Sequence, residues 1–260
     1  MSTILDRIIA DKIKEVQARK EQRSNADLEA APYMHRATLS LRDSLLQSDS
    51  GIIAEFKRRS PSKGWIHENA DVLKITSGYS AAGASGISIL TDTPYFGGTP
   101  DDLVSARGQV TCPILRKDFM IDEYQVLEAR AMGADVILLI AAALTVEQTK
   151  VLARRARELD LEVLLEVHNR AELGHVNEFV QVVGVNNRNL KTFEVDVELS
   201  MQLLEHIPDD FVKISESGIS SPETVRMLRQ AGYRGFLMGE NFMKEQDPAA
   251  ALKYFIAQCR

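Results

Sequence analysis

The 260-residue sequence is poor in cysteine, in tryptophan and in long apolar runs, and it has no excess of positive charge. Its two cysteines, Cys112 and Cys259, lie far apart and form no metal-type spacing. Neither a disulfide framework nor a zinc site is expected, and a reduced, cytoplasmic setting is the simplest reading. The longest apolar run, Val136 to Leu144, falls short of the roughly 18 residues of a membrane span. The opening segment is interrupted by Asp6, Asp11 and Lys12, so it lacks the apolar core of a signal peptide. With 31 Lys and Arg against 37 Asp and Glu, the net charge is −6. That argues against a bulk nucleic-acid binder, which usually carries a basic face, but a small anionic ligand asks only for a few local cations. The five histidines, His35, His67, His168, His175 and His206, show no metal-ligand spacing.

What is present is an alternation. Ile4, Ile8, Ile9, Ile13 and Val16 recur at helical spacing, which predicts an amphipathic first helix. Residues 23–50 read as polar and irregular, with a short helical piece around Leu41 to Leu46. From Gly51 onward, eight short apolar runs predict strands: Ile52–Phe56, Gly86–Leu90, Pro113–Leu115, Asp135–Ile140, Glu162–Glu166, Gln181–Val185, Phe211–Ile214 and Gly235–Met238. Helical stretches such as Val72–Ala82, Glu123–Met132, Val146–Leu159, Leu199–His206 and Pro222–Ala231 lie between most of them. Thr145 and Ser221 are placed as helix caps, and Gly83, Gly133 and Gly232 as helix stops before strands. Continuous apolar strands are those of a parallel sheet buried on both faces. Eight such units fit a single α/β domain, a (β/α)8 TIM barrel over 51–260 with an N-terminal helical extension over 1–50. A doubly wound open sheet usually has a glycine-rich turn after its first strand; here that strand runs into Lys57-Arg58-Arg59-Ser60-Pro61-Ser62.

Polar residues collect where the predicted strands end. In a barrel those ends build the active site. The first strand ends Glu55-Phe56-Lys57, and residues two apart share a face, so Glu55 and Lys57 point the same way. Others end with Arg116-Lys117-Asp118, Glu166-Val167-His168, Asn186-Asn187-Arg188, Ser215-Glu216-Ser217-Gly218 and Gly239-Glu240. Any one of these, alone, is ordinarily a solvated residue, half of a structural ion pair or a plain turn. Their concentration on one edge of six strands is what such readings leave unexplained, because buried charge is costly without partners. Ser217-Gly218 and Gly239-Glu240 follow the last two strands, where barrels often bind phosphate through backbone N–H groups. Lys57, Ser60 and Arg188 add charge and hydrogen bonds there.

Taken together, the run Ile53 to Gly64, Leu115 to Phe119, Leu164 to His168, Gly184 to Leu190, Ser215 to Ile219 and Gly235 to Glu240 resembles the signature of the indole-3-glycerol phosphate synthase family. The similarity extends from the first helix to the last. It implies cyclisation of 1-(2-carboxyphenylamino)-1-deoxyribulose 5-phosphate to indole-3-glycerol phosphate with loss of carbon dioxide and water, by a monomer, without metal or organic cofactor. It implies that Lys117 is the acid at the ketone and that Glu166 is a base or stabilises positive charge on the anilino nitrogen. Lys57 is then the acid for the leaving hydroxyl, and Glu55 takes the final proton or orients Lys57. The resemblance leaves the division of work between Glu166 and the Glu55–Lys57 pair open. Asn186 and Ser217 are expected to orient substrate. Ser60, Arg188, Gly218, Gly239 and the backbone N–H of Glu240 are expected at the phosphate. Phe96, Phe119 and Pro61 are expected to pack on the anthranilate ring, as large apolar groups suit it, although ordinary loop packing explains them equally well. A neighbouring barrel type, phosphoribosylanthranilate isomerase, would share the phosphate end but use other acid–base residues. A non-catalytic binder would need neither Lys117 nor Glu166.

Overall fold

The computed structural model describes residues 3–259; Met1, Ser2 and Arg260, which fall within the predicted domain, lie outside the described residues. Eight parallel strands close into a barrel: β1 (Ile52–Phe56), β2 (Gly86–Leu90), β3 (Ile114–Lys117), β4 (Val136–Ile140), β5 (Glu162–Val167), β6 (Val182–Asn186), β7 (Val212–Glu216) and β8 (Gly235–Met238). Each pairs with its neighbours in sequence, and β8 returns to β1. The expected fold is therefore the observed one.

The helical extension holds α1 (Ile4–Gln22), α2 (Asn25–Glu29) and α3 (Leu41–Gln47). The barrel helices are α4 (Val72–Ala81), α5 (Thr93–Phe96), α6 (Pro100–Arg107), α7 (Glu123–Met132), α8 (Val146–Glu158), α9 (Glu198–Leu204), α10 (Pro222–Ala231), α11 (Glu240–Met243) and α12 (Pro248–Cys259). Thr145 caps α8 in a reciprocal capping box with Gln148, and Ser221 caps α10. β3 and β7 run past their predicted ends, and the extension holds one helix that the sequence reading lacks. Residues 25–29 are helical rather than irregular, because Ser24 and Asp27 cap each other's backbone N–H. After β5 the chain makes only a 3-10 segment, Arg170–His175, capped by Asn169.

Period-two alternation sorts the barrel wall. Ile53, Leu115, Leu164, Val182, Ile214 and Leu237 face inward and form the barrel's inner core with Leu41 and Leu45 of α3, which plugs the bottom. Residues of opposite parity, such as Ile52, Ile89, Val163 and Val183, join the larger core beneath the helices. Two residues beyond the inward apolar layer the same inward face carries Glu55, Lys117, Glu166 and Glu216, and on β6 Asn186 follows Val182 and Gly184. The interior is dry at the bottom and ionic at the C-terminal mouth. No helix among the described residues is long and apolar enough to cross a membrane.

Candidate active site

A cavity of about 700 Å3 opens at the C-terminal mouth. All fourteen site residues expected from sequence line it: Glu55, Lys57, Ser60, Pro61, Phe96, Lys117, Phe119, Glu166, Asn186, Arg188, Ser217, Gly218, Gly239 and Glu240. At its floor Lys117 stands among three carboxylates, with Nζ 3.7 Å from Glu55, 3.7 Å from Glu166 and 3.5 Å from Glu216. Burial works against its charge, but the three carboxylates outweigh burial and raise its pKa above the ordinary lysine value. Lys57 lies 2.7 Å from the other oxygen of Glu55. Burial would push Glu55 up; Lys57 and Lys117 outweigh it and hold the carboxyl below its ordinary value.

Burial also opposes the ionised form of Glu166, and is outweighed by Lys117, then by His168 and a hydrogen bond from Asn186. The Asn186 oxygen accepts the Ser217 hydroxyl at 2.9 Å and the Arg188 N–H at 3.1 Å. That fixes the carboxamide with its NH2 free for Glu166.

Glu216 is the residue sequence reasoning missed. The predicted apolar run ends at Ile214, and Glu216 is read as part of the strand end without a face or a role. The observed strand runs to Glu216 and turns it inward. A signal was available on the neighbouring strand: Gly184 sits inside β6, and a methyl group there would collide with the Glu216 carboxylate. Gly239 makes the same allowance for Glu55, whose Oε1 would lie 2.7 Å from an added Cβ. Among the described residues neither oxygen of Glu216 has an aligned hydrogen bond, although both are buried. Burial raises its pKa; Lys117 opposes this and Glu166 and Glu55 reinforce it, for a value of about 8.

The raised pKa makes Glu216 the last of the three carboxyl groups to ionise as pH rises, in a range near 8. The new anion would face a substrate that is itself anionic. We expect kcat/KM to fall across that range, and Glu216→Gln, permanently neutral, to lack the fall. A pH profile of both proteins checks this; a limb that survives in the variant belongs to another group.

The two ends of the cavity differ. On one side Phe96 and Phe119 meet with ring centroids 6.0 Å apart and a 39° tilt, near Pro61. On the other, Ser217 and Gly218 are both left-handed, with φ of 65° and 75°, a geometry in which successive backbone N–H groups form an anion-binding concavity. Arg188, Lys63 and Lys244 line the same cavity. Gly239 precedes α11; its carbonyl accepts the Phe242 and Met243 N–H groups, and the Glu240 and Asn241 N–H groups come before the first helical bond. The Glu240 carboxylate is 3.9 Å from Lys63, half in solvent. Among the described residues no group of three His, Cys, Asp or Glu side chains is arranged to hold a metal ion.

Fold and mouth together define a (β/α)8-barrel enzyme with an acid–base centre of lysines and carboxylates. Solved structures bear out the fold: the crystal structure of KGPDC from Streptococcus mutans aligns with a TM-score of 0.62 at 11% identity, over 80% of this chain and 96% of that one. The tryptophan synthase complex from Pyrococcus furiosus aligns at 0.59 and 16% identity, over 81% and 98%. Sequence relatives are closer. The indole-3-glycerol phosphate synthase of Bacteroides thetaiotaomicron is 52% identical over 98% of both chains. That of Chromobacterium violaceum is 46% identical over 99% of this chain and 100% of its own. The profile of indole-3-glycerol phosphate synthase matches residues 5–255. The chain belongs to the indole-3-glycerol phosphate synthase family, carboxy-lyases of tryptophan biosynthesis.

Proposed function

We propose that this mouth closes the indole ring of 1-(2-carboxyphenylamino)-1-deoxyribulose 5-phosphate by the following division of labour. The observation that carries the reading is the Lys117 ammonium ringed by three carboxylates, between an aromatic wall and a cationic, amide-lined rim. The substrate has the same order of parts: an anthranilate ring, a ketone in the middle and a phosphate at the far end.

Phe96, Phe119 and Pro61 pack on the ring. Ser60, Arg188, Gly218, Gly239 and the Glu240 N–H hold the phosphate, with Lys57 adding charge. Asn186 and Ser217 orient the sugar portion. The ring carbon that bears the carboxylate attacks the ketone carbon while Lys117 gives a proton to the ketone oxygen. Glu166 stabilises the positive charge that develops on the anilino nitrogen. The carbon–carboxylate bond then breaks, carbon dioxide leaves and its electron pair restores the aromatic ring. Lys57 protonates the departing hydroxyl, which leaves as water, and Glu166 takes the proton lost as the new double bond forms. Glu55 is shared between the two lysines, and so orients Lys57 rather than acting as a base. No step calls on a metal or an organic cofactor.

One domain performs this work, residues 51–259 forming the barrel and 3–50 the extension that packs on it. All the named groups come from one chain, which favours a monomer. Cys112 and Cys259 are unpaired thiols, in keeping with a reducing cytoplasm. Neither nucleic acid nor membrane is needed as a partner.

The test is conversion of the synthetic substrate, followed by indole absorbance and carbon dioxide release. Product is expected from the wild type. From Arg188→Ala we expect product with KM raised by about 10-fold or more and kcat little changed, the sign of lost ground-state binding. Failure of the wild type to form indole would refute the reading. Loss of kcat alone in the variant would remove Arg188 from the phosphate end.

A further inference from the structure

His168 is an ionisable group at the mouth that the chemistry above does not use. It follows β5, two residues beyond Glu166, and its side chain is only 10% exposed. Both ring nitrogens lie beside carboxylates: Nε2 is 3.2 Å from Glu166 Oε1, an ion-pair contact without an aligned hydrogen bond, and Nδ1 is 3.2 Å from Glu172 Oε2, within hydrogen-bond geometry. Glu172 is itself held. Its Oε2 accepts the His168 backbone N–H at 2.7 Å and its Oε1 accepts Asn169 Nδ2 at 2.6 Å. Asn169 in turn accepts the Glu172 N–H at 3.1 Å, capping the 3-10 segment.

We propose that His168 is a positioning residue, an imidazolium clamped from outside by Glu172 that pins one oxygen of Glu166 and leaves the other for Lys117 and substrate. The inference rests on the role given to Glu166 above. A neutral ring carries one N–H, so one of its nitrogens would turn a lone pair toward a carboxylate oxygen. Only the doubly protonated ring suits both neighbours. Burial disfavours that charge, and the two carboxylates outweigh burial, raising the pKa to about 10. The Glu166 oxygens are thereby divided, Oε1 to His168 and Oε2 to Lys117 at 3.7 Å. Glutamate's last torsion is soft, so without the clamp the carboxylate can rotate and swing onto Lys117. The short 3-10 segment after β5 has a function in this light: it brings Glu172 back over the strand end, where a longer helix would carry it away.

Charged groups facing Glu166 come from three other strands: Lys117 from β3, Glu55 from β1 and Glu216 from β7. Removing the His168 cation from this set raises the Glu166 pKa, so activity is lost at a higher pH on the acid side. We expect His168→Gln to lower kcat by about 10- to 100-fold with KM within about 3-fold, and to move the acid limb of kcat up by about one unit. His168→Arg, which keeps the charge, should restore the limb. Glu172→Gln should act in the same direction with a smaller loss. In a Glu166→Gln background, adding His168→Gln should cost little more, because the two act as a unit. Wild-type kcat with an unmoved limb in His168→Gln, or an equal further loss in the Glu166→Gln background, overturns the clamp. If Glu166→Gln alone turns over normally, the role of Glu166 fails instead, whatever His168 does. Thermal melting reports whether His168→Gln folds; should it not, the Glu172→Gln limb decides.

Discussion

Lys117→Ala is expected to lose turnover by a factor of about 10² or more while KM changes only a few-fold. The ammonium is the group on the cavity floor that reaches three carboxylates at once. Those carboxylates keep it charged, so it is a hydrogen-bond donor fixed in place before a ketone arrives. That preorganisation is what alanine removes. Substrate affinity should survive, because the phosphate rim and the Phe96–Phe119 wall are formed by other side chains. Steady-state and single-turnover rates, followed by indole fluorescence, separate the two effects. Near-normal turnover would mean that the proton comes from elsewhere. A raised KM with normal kcat would make Lys117 a binding group.

The second large effect is structural. Lys12→Met is expected to destabilise the protein by about 3–5 kcal/mol, the usual loss when one partner of a buried ion pair is removed. Lys12 projects from α1, and its side chain is 1% exposed, within 2.8 Å of Glu15, 3.0 Å of Asp92 and 2.9 Å of Asp118. Arg116 would still answer Asp118, but Asp92 would lose its cation. Asp92 caps α5, the helix that carries Phe96. Asp118 separates Lys117 from Phe119 and accepts the Phe119 N–H at 2.9 Å. One buried lysine thus ties the extension to both loops of the aromatic wall.

The pH dependence has a definite sign. Burial would raise Asp118, but Arg116 and Lys12 outweigh it and hold its carboxyl well below the ordinary range. A depressed carboxyl contributes stability that is present above its unfolded pKa and lost as pH falls toward the folded one. The gap between wild type and variant should be widest near neutrality and narrow in acid. Urea unfolding across pH measures it. A neutral-pH loss under about 0.5 kcal/mol, the level of an ordinary surface change, would contradict the role of the pair.

Much of this was legible in the sequence, and the exceptions share a cause. β1, β2 and β8 have the bounds their apolar runs predict. The apolar run that predicts β3 ends at Leu115, because Arg116 and Lys117 are charged, and the observed strand continues to Lys117. Lys117 turns inward; Arg116 turns outward and is fully buried against Thr91, Asp118 and Glu128. Its partners come from the β2–α5 loop, the β3 terminus and α7, which no local window joins. The seventh apolar run ends at Ile214 for the same reason, and that conceals the face of Glu216. Composition cannot show that a charge is buried when its counter-charges arrive from distant segments. Lys12 and His168 are further cases, the first reading as a charge on an amphipathic helix and the second as a strand-end residue near the site, with its burial between two carboxylates hidden. Residues with local signals, such as Glu55 and Lys57 two apart or the Ser217-Gly218 turn, lie at the mouth where the sequence puts them.

A crystal structure of the Lys117→Ala variant with bound substrate is the most direct measurement of the assignment of ends and floor. The expected density places the phosphate among Ser60, Arg188, Gly218 and the Gly239–Glu240 amides. It places the anthranilate ring against Phe96 and Phe119, and the ketone oxygen over the space left by the lysine. A substrate lying in the opposite direction, or outside the barrel mouth, would contradict it.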